Sequence, residues 1–223
     1  MSNKLLTAQM PQRVAMYIVG LFVLAFGVAL SINSRLGVSP VNSIPYVAGR
    51  IAQTEPGMWT TAMFTLFILA QIAILRKSFR WFDISQLLFS FIFGFFLDFM
   101  LFLLGGFRLP TYFGQFAMLL ASIIFIAMGL AFILSAKLVA LPPEALCLAI
   151  AGKIKKKFHN VKIVVDSSLV VIAIALSLAF LGNLDGIREG TVLSAVLIGK
   201  AIPIVRKVLL PIFKKVYGAS YES

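Results

Sequence analysis

The arrangement of apolar stretches along the chain most constrains its fold. Six long stretches run over residues 14–32, 58–75, 84–104, 113–136, 161–181 and 191–213. Each approaches or exceeds the roughly 17–25 residues that a helix needs to cross a bilayer. Hydrophobic residues make up 61% of the 223-residue chain and charged residues 13%, whereas a soluble domain is about half apolar and about a quarter charged. The sequence therefore predicts an α-helical integral membrane protein.

Two shorter apolar stretches, 38–51 and 141–154, lie between the long ones. About fourteen helical residues reach only ~21 Å, which is short of the ~30 Å hydrocarbon core. If both stretches enter and leave on one side, the cationic loops 76–80, 137–162 and 214–215 fall on the same face, and Lys/Arg-rich loops are cytoplasmic. We therefore predict six spanning helices, two re-entrant half-helices and cytoplasmic termini. The alternative, in which both short stretches span, weakens this charge bias and stays open.

The chain also carries an internal repeat. Residues 25–29 (AFGVA) recur as residues 127–131 (AMGLA), 102 residues later, and Pro40 recurs as Pro142 or, after a one-residue slip, Pro143. Three spans per copy is an odd number, so the second copy should lie inverted in the membrane, as in many secondary transporters. We predict a first repeat over 1–110, a second, inverted repeat over 111–205 and a basic cytoplasmic tail over 206–223. The two half-helices should meet near the midplane and line a cavity.

Two motifs carry a family resemblance. The segment LGVSP at residues 36–40 and the segment GTVLSA at residues 190–195 resemble the YczE/YitT-type family of bacterial polytopic membrane proteins. The resemblance covers nearly the whole chain and implies a plasma-membrane protein with duplicated halves, from a largely uncharacterised family. The second half-helix departs from the first, with VALPPE at residues 139–144 in place of LGVSP. The two copies should therefore contribute unequally to a shared site.

Polar and ionisable residues inside the apolar stretches are the candidate functional residues, because each charge costs roughly 2.5–3.5 kcal/mol to insert. Lys200 is the first candidate, with a structural salt bridge as its alternative role. Glu144 also suits a helix start, and Cys147 also suits an apolar filler. The predicted substrate site comprises Ser39, Asn42, Ser43, Glu144, Cys147 and Lys200. The predicted coupling-ion or gating residues are Asp98, Asp166, Ser167, Thr60 and Thr61. Helix N-termini favour anionic groups, so the site suits an anion or a zwitterion.

The remaining composition narrows the class of function. The net charge of +12 is explained by cytoplasmic loops, so anionic lipids rather than nucleic acid are the expected partners. One Cys and one His, with no catalytic motif, predict neither an enzyme nor a metal or cofactor site. We expect a small secondary transporter of the bacterial plasma membrane that works by alternating access. A passive channel of the same fold and a non-transporting scaffold or accessory protein are the alternatives. A homodimer is compatible with a chain of this size.

Overall fold

The regular structure is helical throughout the described part of the chain. The computed structural model describes residues 10–217. Its helices, numbered in chain order, are α1 (Met10–Asn33), α2 (Pro40–Ala52), α3 (Pro56–Leu75), α4 (Gln86–Leu104), α5 (Tyr112–Ser135), α6 (Pro142–Ile154), α7 (Phe158–Leu181) and α8 (Glu189–Tyr217). Two short 3₁₀ segments, Arg76–Ser78 and Trp81–Ser85, connect α3 to α4.

The sequence sets the ends of the two short helices, α2 and α6. Pro40 opens α2 and Pro142 opens α6, at a position where the missing N–H costs no helical hydrogen bond. Gln53 and Lys155 end these helices in the left-handed conformation, and their backbone N–H groups donate to the carbonyls of Gly49 and Ala151. Each short helix therefore has thirteen residues, which is too few to cross a bilayer.

Five helical segments are long and apolar enough to cross a membrane. They are Met10–Asn33, Pro56–Ser78, Trp81–Leu104, Tyr112–Ser135 and Phe158–Leu181, and each contains one of the predicted spans or most of it. The sixth predicted span lies in α8, which has 29 residues but is not among these five. Lys200, Arg206 and Lys207 make this helix more charged than the others.

The last helix differs in extent from the expectation of a separate tail at 206–223. It continues through Pro203 and Pro211 to Tyr217. Near its end, the fully buried Phe213 packs with Met16 of α1 and Phe132 of α5. Helix α8 therefore runs past the predicted boundary at residue 205, and residues 218–223 of the predicted tail lie outside the described part of the chain.

Helices α1 and α5 form the centre of the molecule and run antiparallel. A methyl group added at Gly20 would meet Phe132 and Ile133, and one added at Gly27 would meet Phe125 and Ile126. One added at Gly129 would lie 2.6 Å from the backbone nitrogen of Leu24. Small residues at a helix crossing let the two backbones approach closely.

The other helices pack around this central pair in a matched pattern. Helix α4 contacts α1, and α8 contacts α5. Helices α3 and α7 follow the two short helices in the chain. Each short helix, α2 and α6, contacts both α3 and α7. Both ends of α1, both ends of α2 and the start of α3 recur 102 residues later in α5, α6 and α7. The helix bounds thus follow the same interval as the sequence repeat.

Candidate functional site

The N-termini of the two short helices converge on a small cavity in the interior. Its volume is about 30 Å³, which is room for a water-sized molecule. Polar or helix-start residues supply part of its wall: Ser39, Pro40, Asn42, Pro143, Glu144, Lys162 and Asp166. Val41, Leu141 and apolar side chains of α1, α3, α4, α5 and α8 complete the wall. The cavity is therefore lined from both halves of the chain.

An ionic cluster of Glu144, Lys162 and Asp166 forms one wall. Lys162 Nζ lies 3.3 Å from Glu144 Oε1 and 3.2 Å from Asp166 Oδ2. The three side chains are almost completely buried, with exposed fractions of 2% for Lys162, 3% for Glu144 and 1% for Asp166. Buried charges persist only when they are paired or hydrogen-bonded, and each of these charges has its partner within the cluster.

Two local features of the chain bring the cluster together. Lys162 and Asp166 are four residues apart on α7, so they lie on the same helix face. Glu144 sits in the first turn of α6, where the helix dipole stabilises a carboxylate. Because α6 packs against α7, Glu144 lies next to Lys162.

The opposite wall, on α2, is polar but uncharged. Asn42 Nδ2 donates to Ser39 Oγ at 3.0 Å, and Thr60 Oγ1 donates to Asn42 Oδ1 at 3.5 Å and to the Pro56 carbonyl at 2.9 Å. At the interval of 102 residues, Asn42 corresponds to Glu144 and Thr60 corresponds to Lys162. A neutral pair in the first half therefore occupies the positions of an ion pair in the second.

The structure brings together some of the predicted site residues. Ser39, Asn42, Glu144 and Asp166 line the cavity. The remaining buried ones are Ser43 of α2, Thr60 of α3 and Cys147 of α6. Ser43 Oγ donates to the Pro40 carbonyl at 2.6 Å.

The other predicted residues lie elsewhere. Lys200 is exposed on α8, and Ser167 is exposed on α7. Asp98 of α4 accepts a hydrogen bond from the Gly57 N–H at 3.0 Å, and Thr61 donates to the Gly57 carbonyl at 3.1 Å. Asp98 therefore joins the start of α3 to α4, and Thr61 Oγ1 also lies 3.5 Å from the Ser90 carbonyl of α4.

Lys162 is an ionisable residue of the cavity that the predicted site does not include. The charge pattern places it in the cationic stretch 137–162 of the cytoplasmic face, but it lies within α7 and its side chain is buried. Two signals could have identified it. It precedes Asp166 by one helical turn, and it lies 102 residues after Thr60.

Among the described residues, no group of three or more His, Cys, Asp or Glu side chains is placed to hold a metal ion. Three carboxylate oxygens of the cavity, Glu144 Oε1 and both oxygens of Asp166, contact Lys162.

The fold and the site define an α-helical, multi-helix membrane protein with a buried cavity between two short helices and an ionic cluster of α6 and α7 in its wall. The chain belongs to DUF6198, a family of unknown function, whose model matches residues 11–207. It is 30% identical over 184 residues to the uncharacterised membrane protein YczE of Bacillus subtilis (strain 168), which covers 82% of this chain and 80% of that protein. These matches confirm the predicted YczE-type membrane family. No solved structure matches the chain significantly.

Proposed function

We propose that the protein is a small secondary transporter that moves a charged or zwitterionic solute through the cavity between α2 and α6. The observation that carries the proposal is the convergence of two short-helix N-termini on a buried, partly charged cavity. Paired discontinuous helices around a midplane site are typical of secondary transporters. Backbone that is not part of a spanning helix is tolerated at membrane depth where it lines a cavity or is buried in protein.

An inverted duplication supports alternating access. The matched helix bounds, the matched contacts and the antiparallel α1–α5 pair are what two inverted copies would produce. In such an arrangement, rocking one half against the other exposes the same site to each side in turn.

A re-entrant path for α2 is supported by its contacts at both ends. The Val38 N–H, before α2, donates to the Gly186 carbonyl at 2.8 Å. Arg50, in the last turn of α2, pairs with Asp185 at 2.6 Å. The residues before and at the end of this helix thus contact neighbouring residues of one loop. By the repeat, α6 would enter from the opposite, cytoplasmic side.

The proposed location is the bacterial plasma membrane, with both termini in the cytoplasm. The charge distribution supports this orientation, because the loops at 76–80 and 153–157 are rich in Lys and Arg. Anionic lipid is the proposed partner of this face. An open groove of about 580 Å³ between α5, α7 and α8 presents Arg206 and Lys207 beside apolar side chains, a combination that suits a lipid headgroup and chain.

The transport assay uses the purified protein in liposomes and three radiolabelled probes: glycine, lactate and phosphate. We expect at least one probe to accumulate against its gradient when the lumen is alkaline. Lys162→Met should reduce the initial rate by at least about tenfold. The reason is that the loss of one charge-assisted contact can weaken solute binding by about that factor. The matched control is Lys200→Met, which removes an exposed lysine and should leave the rate near that of the wild type.

The outcomes distinguish the alternatives. Flux that only equilibrates each probe indicates a channel of the same fold. Absence of flux for all three probes favours the scaffold or accessory function. A loss of transport in Lys200→Met but not in Lys162→Met would move the site away from the cavity.

A further inference from the structure

The ionic cluster carries an unbalanced charge. With all three groups ionised, Glu144 and Asp166 together carry two negative charges and Lys162 carries one positive charge. A net charge of −1 in a site of low dielectric is costly, and the usual relief is uptake of a proton or a counter-ion. The partial positive charge at the start of α6 offsets only part of the excess.

The two carboxylates are not equivalent. Both oxygens of Asp166 contact Lys162, Oδ1 at 3.3 Å and Oδ2 at 3.2 Å. Glu144 reaches the lysine with Oε1 alone. Its Oε2 is buried and has no hydrogen-bond partner within residues 10–217, although Glu144 lines the cavity. A proton on Oε2 would therefore remove the excess charge without breaking a contact in the cluster.

The groups facing Glu144 do not supply this missing charge. Lys162 and Asp166 face it from α7. Cys147 from α6 and Tyr17 from α1 also interact with it electrostatically. The Tyr17 hydroxyl is itself buried without a hydrogen-bond partner in the described structure. Lys162 is thus the single cation among these neighbours, and it is shared by two carboxylates.

We propose that Glu144 binds and releases the coupling proton of the transporter, and that the co-transported solute is a small anion. This inference rests on the proposed function and specifies its coupling. An anion entering the ionised cluster would change its net charge from −1 to −2. An anion entering together with a proton on Glu144 would leave the net charge at −1. Lys162, the protonated Oε2 and the start of α2 would then face the anion. The anion should therefore bind more tightly when Glu144 is protonated, because it then brings the cluster to −1 and not to −2.

The test is an infrared titration of the protein in lipid vesicles, which reads the carbonyl-stretch band of a protonated carboxyl and does not depend on transport. The wild type should show a buried carboxyl band that appears as the pH is lowered. Glu144→Gln should lose this band. Glu55→Gln, which alters an exposed carboxylate, should keep it. Persistence of the buried band in Glu144→Gln would overturn the proposal.

A second variant guards against misfolding of the first. Asp166→Asn leaves Glu144 and Lys162 as a neutral ion pair, so the Glu144 band should titrate at lower pH than in the wild type. An unchanged titration would mean that cluster charge does not control Glu144, which contradicts the argument.

The anion is tested in the same experiment with chloride, glycolate and phosphate as probes. Because proton and anion are linked, a bound anion should move the wild-type band to higher pH by up to about one unit for each tenfold excess over its dissociation constant. If none of the three probes moves the band, the anion part of the proposal fails while the proton site stands. Failure of liposome uptake with a titrating Glu144 band would refute the transporter and not the proton site.

Discussion

Lys162 is the residue on which the buried cluster depends, because it is the cation for two carboxylates. Lys162→Met should lower the free energy of unfolding by about 3–5 kcal/mol, the usual cost of leaving buried charge without its partner. The measurement is thermal or denaturant unfolding of the detergent-purified protein. Lys200→Met should change stability by less than about 0.5 kcal/mol, since substitutions of exposed residues usually have small effects.

A triple variant separates the charge effect from lost packing. Lys162→Met combined with Glu144→Gln and Asp166→Asn removes all three charges while keeping similar volumes. Most of the stability should return, because neutral replacement of a whole buried ionic group is often close to neutral in energy. A triple variant as unstable as Lys162→Met alone would show that the lysine stabilises the protein mainly by packing.

At the residue scale, the sequence predicts the acidic and amide members of the cavity better than its cation. Glu144 and Asn42 follow helix-starting prolines, and Asp166 lies inside an apolar stretch, so they stand out. The sequence does not show which of Lys162 and Lys200 belongs to the cavity, because a lysine's long side chain suits either water or a buried partner. Which one is buried depends on where α7 begins and which face meets α6. Those are tertiary features that apolar patterning does not specify.

At the scale of single helices, Asp98 acts as a cap that α4 provides to α3. Its carboxylate accepts the N–H of Gly57, one of the groups that a helix start leaves without an internal partner. Asp98→Ala should therefore cost about 0.5–2 kcal/mol of stability, like the loss of other N-terminal caps. Hydrogen exchange should accelerate in residues 57–61. Equal exchange there, with selective loss of proton-driven uptake, would instead favour the predicted coupling role of Asp98.

The crossing of α1 and α5 depends on small residues. At Gly129 an added methyl group would lie 2.6 Å from the Leu24 nitrogen, so the two helices must separate to admit it. We expect Gly129→Ala to cost about 1–3 kcal/mol, as overpacking does in other cores. Gly152→Ala on α6 is the matched control, because an added methyl group there meets nothing within 4 Å. Similar stability changes in both variants would argue against a tight crossing.

Helix ends were predictable where the sequence contains a strong stop signal. The predicted segments 38–51 and 141–154 agree within two residues with Pro40–Ala52 and Pro142–Ile154. Proline explains the starts, because it suits the first turn of a helix and disrupts a helix that would begin earlier in the chain. Proline does not end a helix everywhere, because α8 continues through Pro203 and Pro211. A proline inside a membrane helix is tolerated when its surroundings satisfy the freed backbone groups.

At the scale of the whole molecule, the two halves related by the 102-residue interval differ at the cavity. The backbone bounds repeat at 102 residues over α1, α2 and the start of α3, yet the neutral pair Asn42–Thr60 of the first half corresponds to the ion pair Glu144–Lys162 of the second. In the proposed transporter, the repeated helices would supply the two-sided motion, and the unequal side chains would supply one set of binding groups. The repeated helices follow from the sequence repeat, but the pairing across halves requires the contacts of α2 with α7 and of α6 with α3.

Ser39 and Leu141 border the same cavity from opposite halves, so alternating access predicts that both share one labelling pattern. In a Cys147→Ala background, Ser39→Cys and Leu141→Cys should each react slowly with a membrane-impermeant maleimide added to either side of sealed vesicles. Reaction should be slow because Ser39 and Leu141 are buried in this conformation, with exposed fractions of 3% and 1%. The controls are Glu55→Cys and Lys156→Cys, both exposed, which should react quickly from the outer and the cytoplasmic side respectively.

Thiols at positions 39 and 141 that do not react from either side would favour a sealed scaffold. Thiols that each react from one side only would mean that no common path joins the two halves.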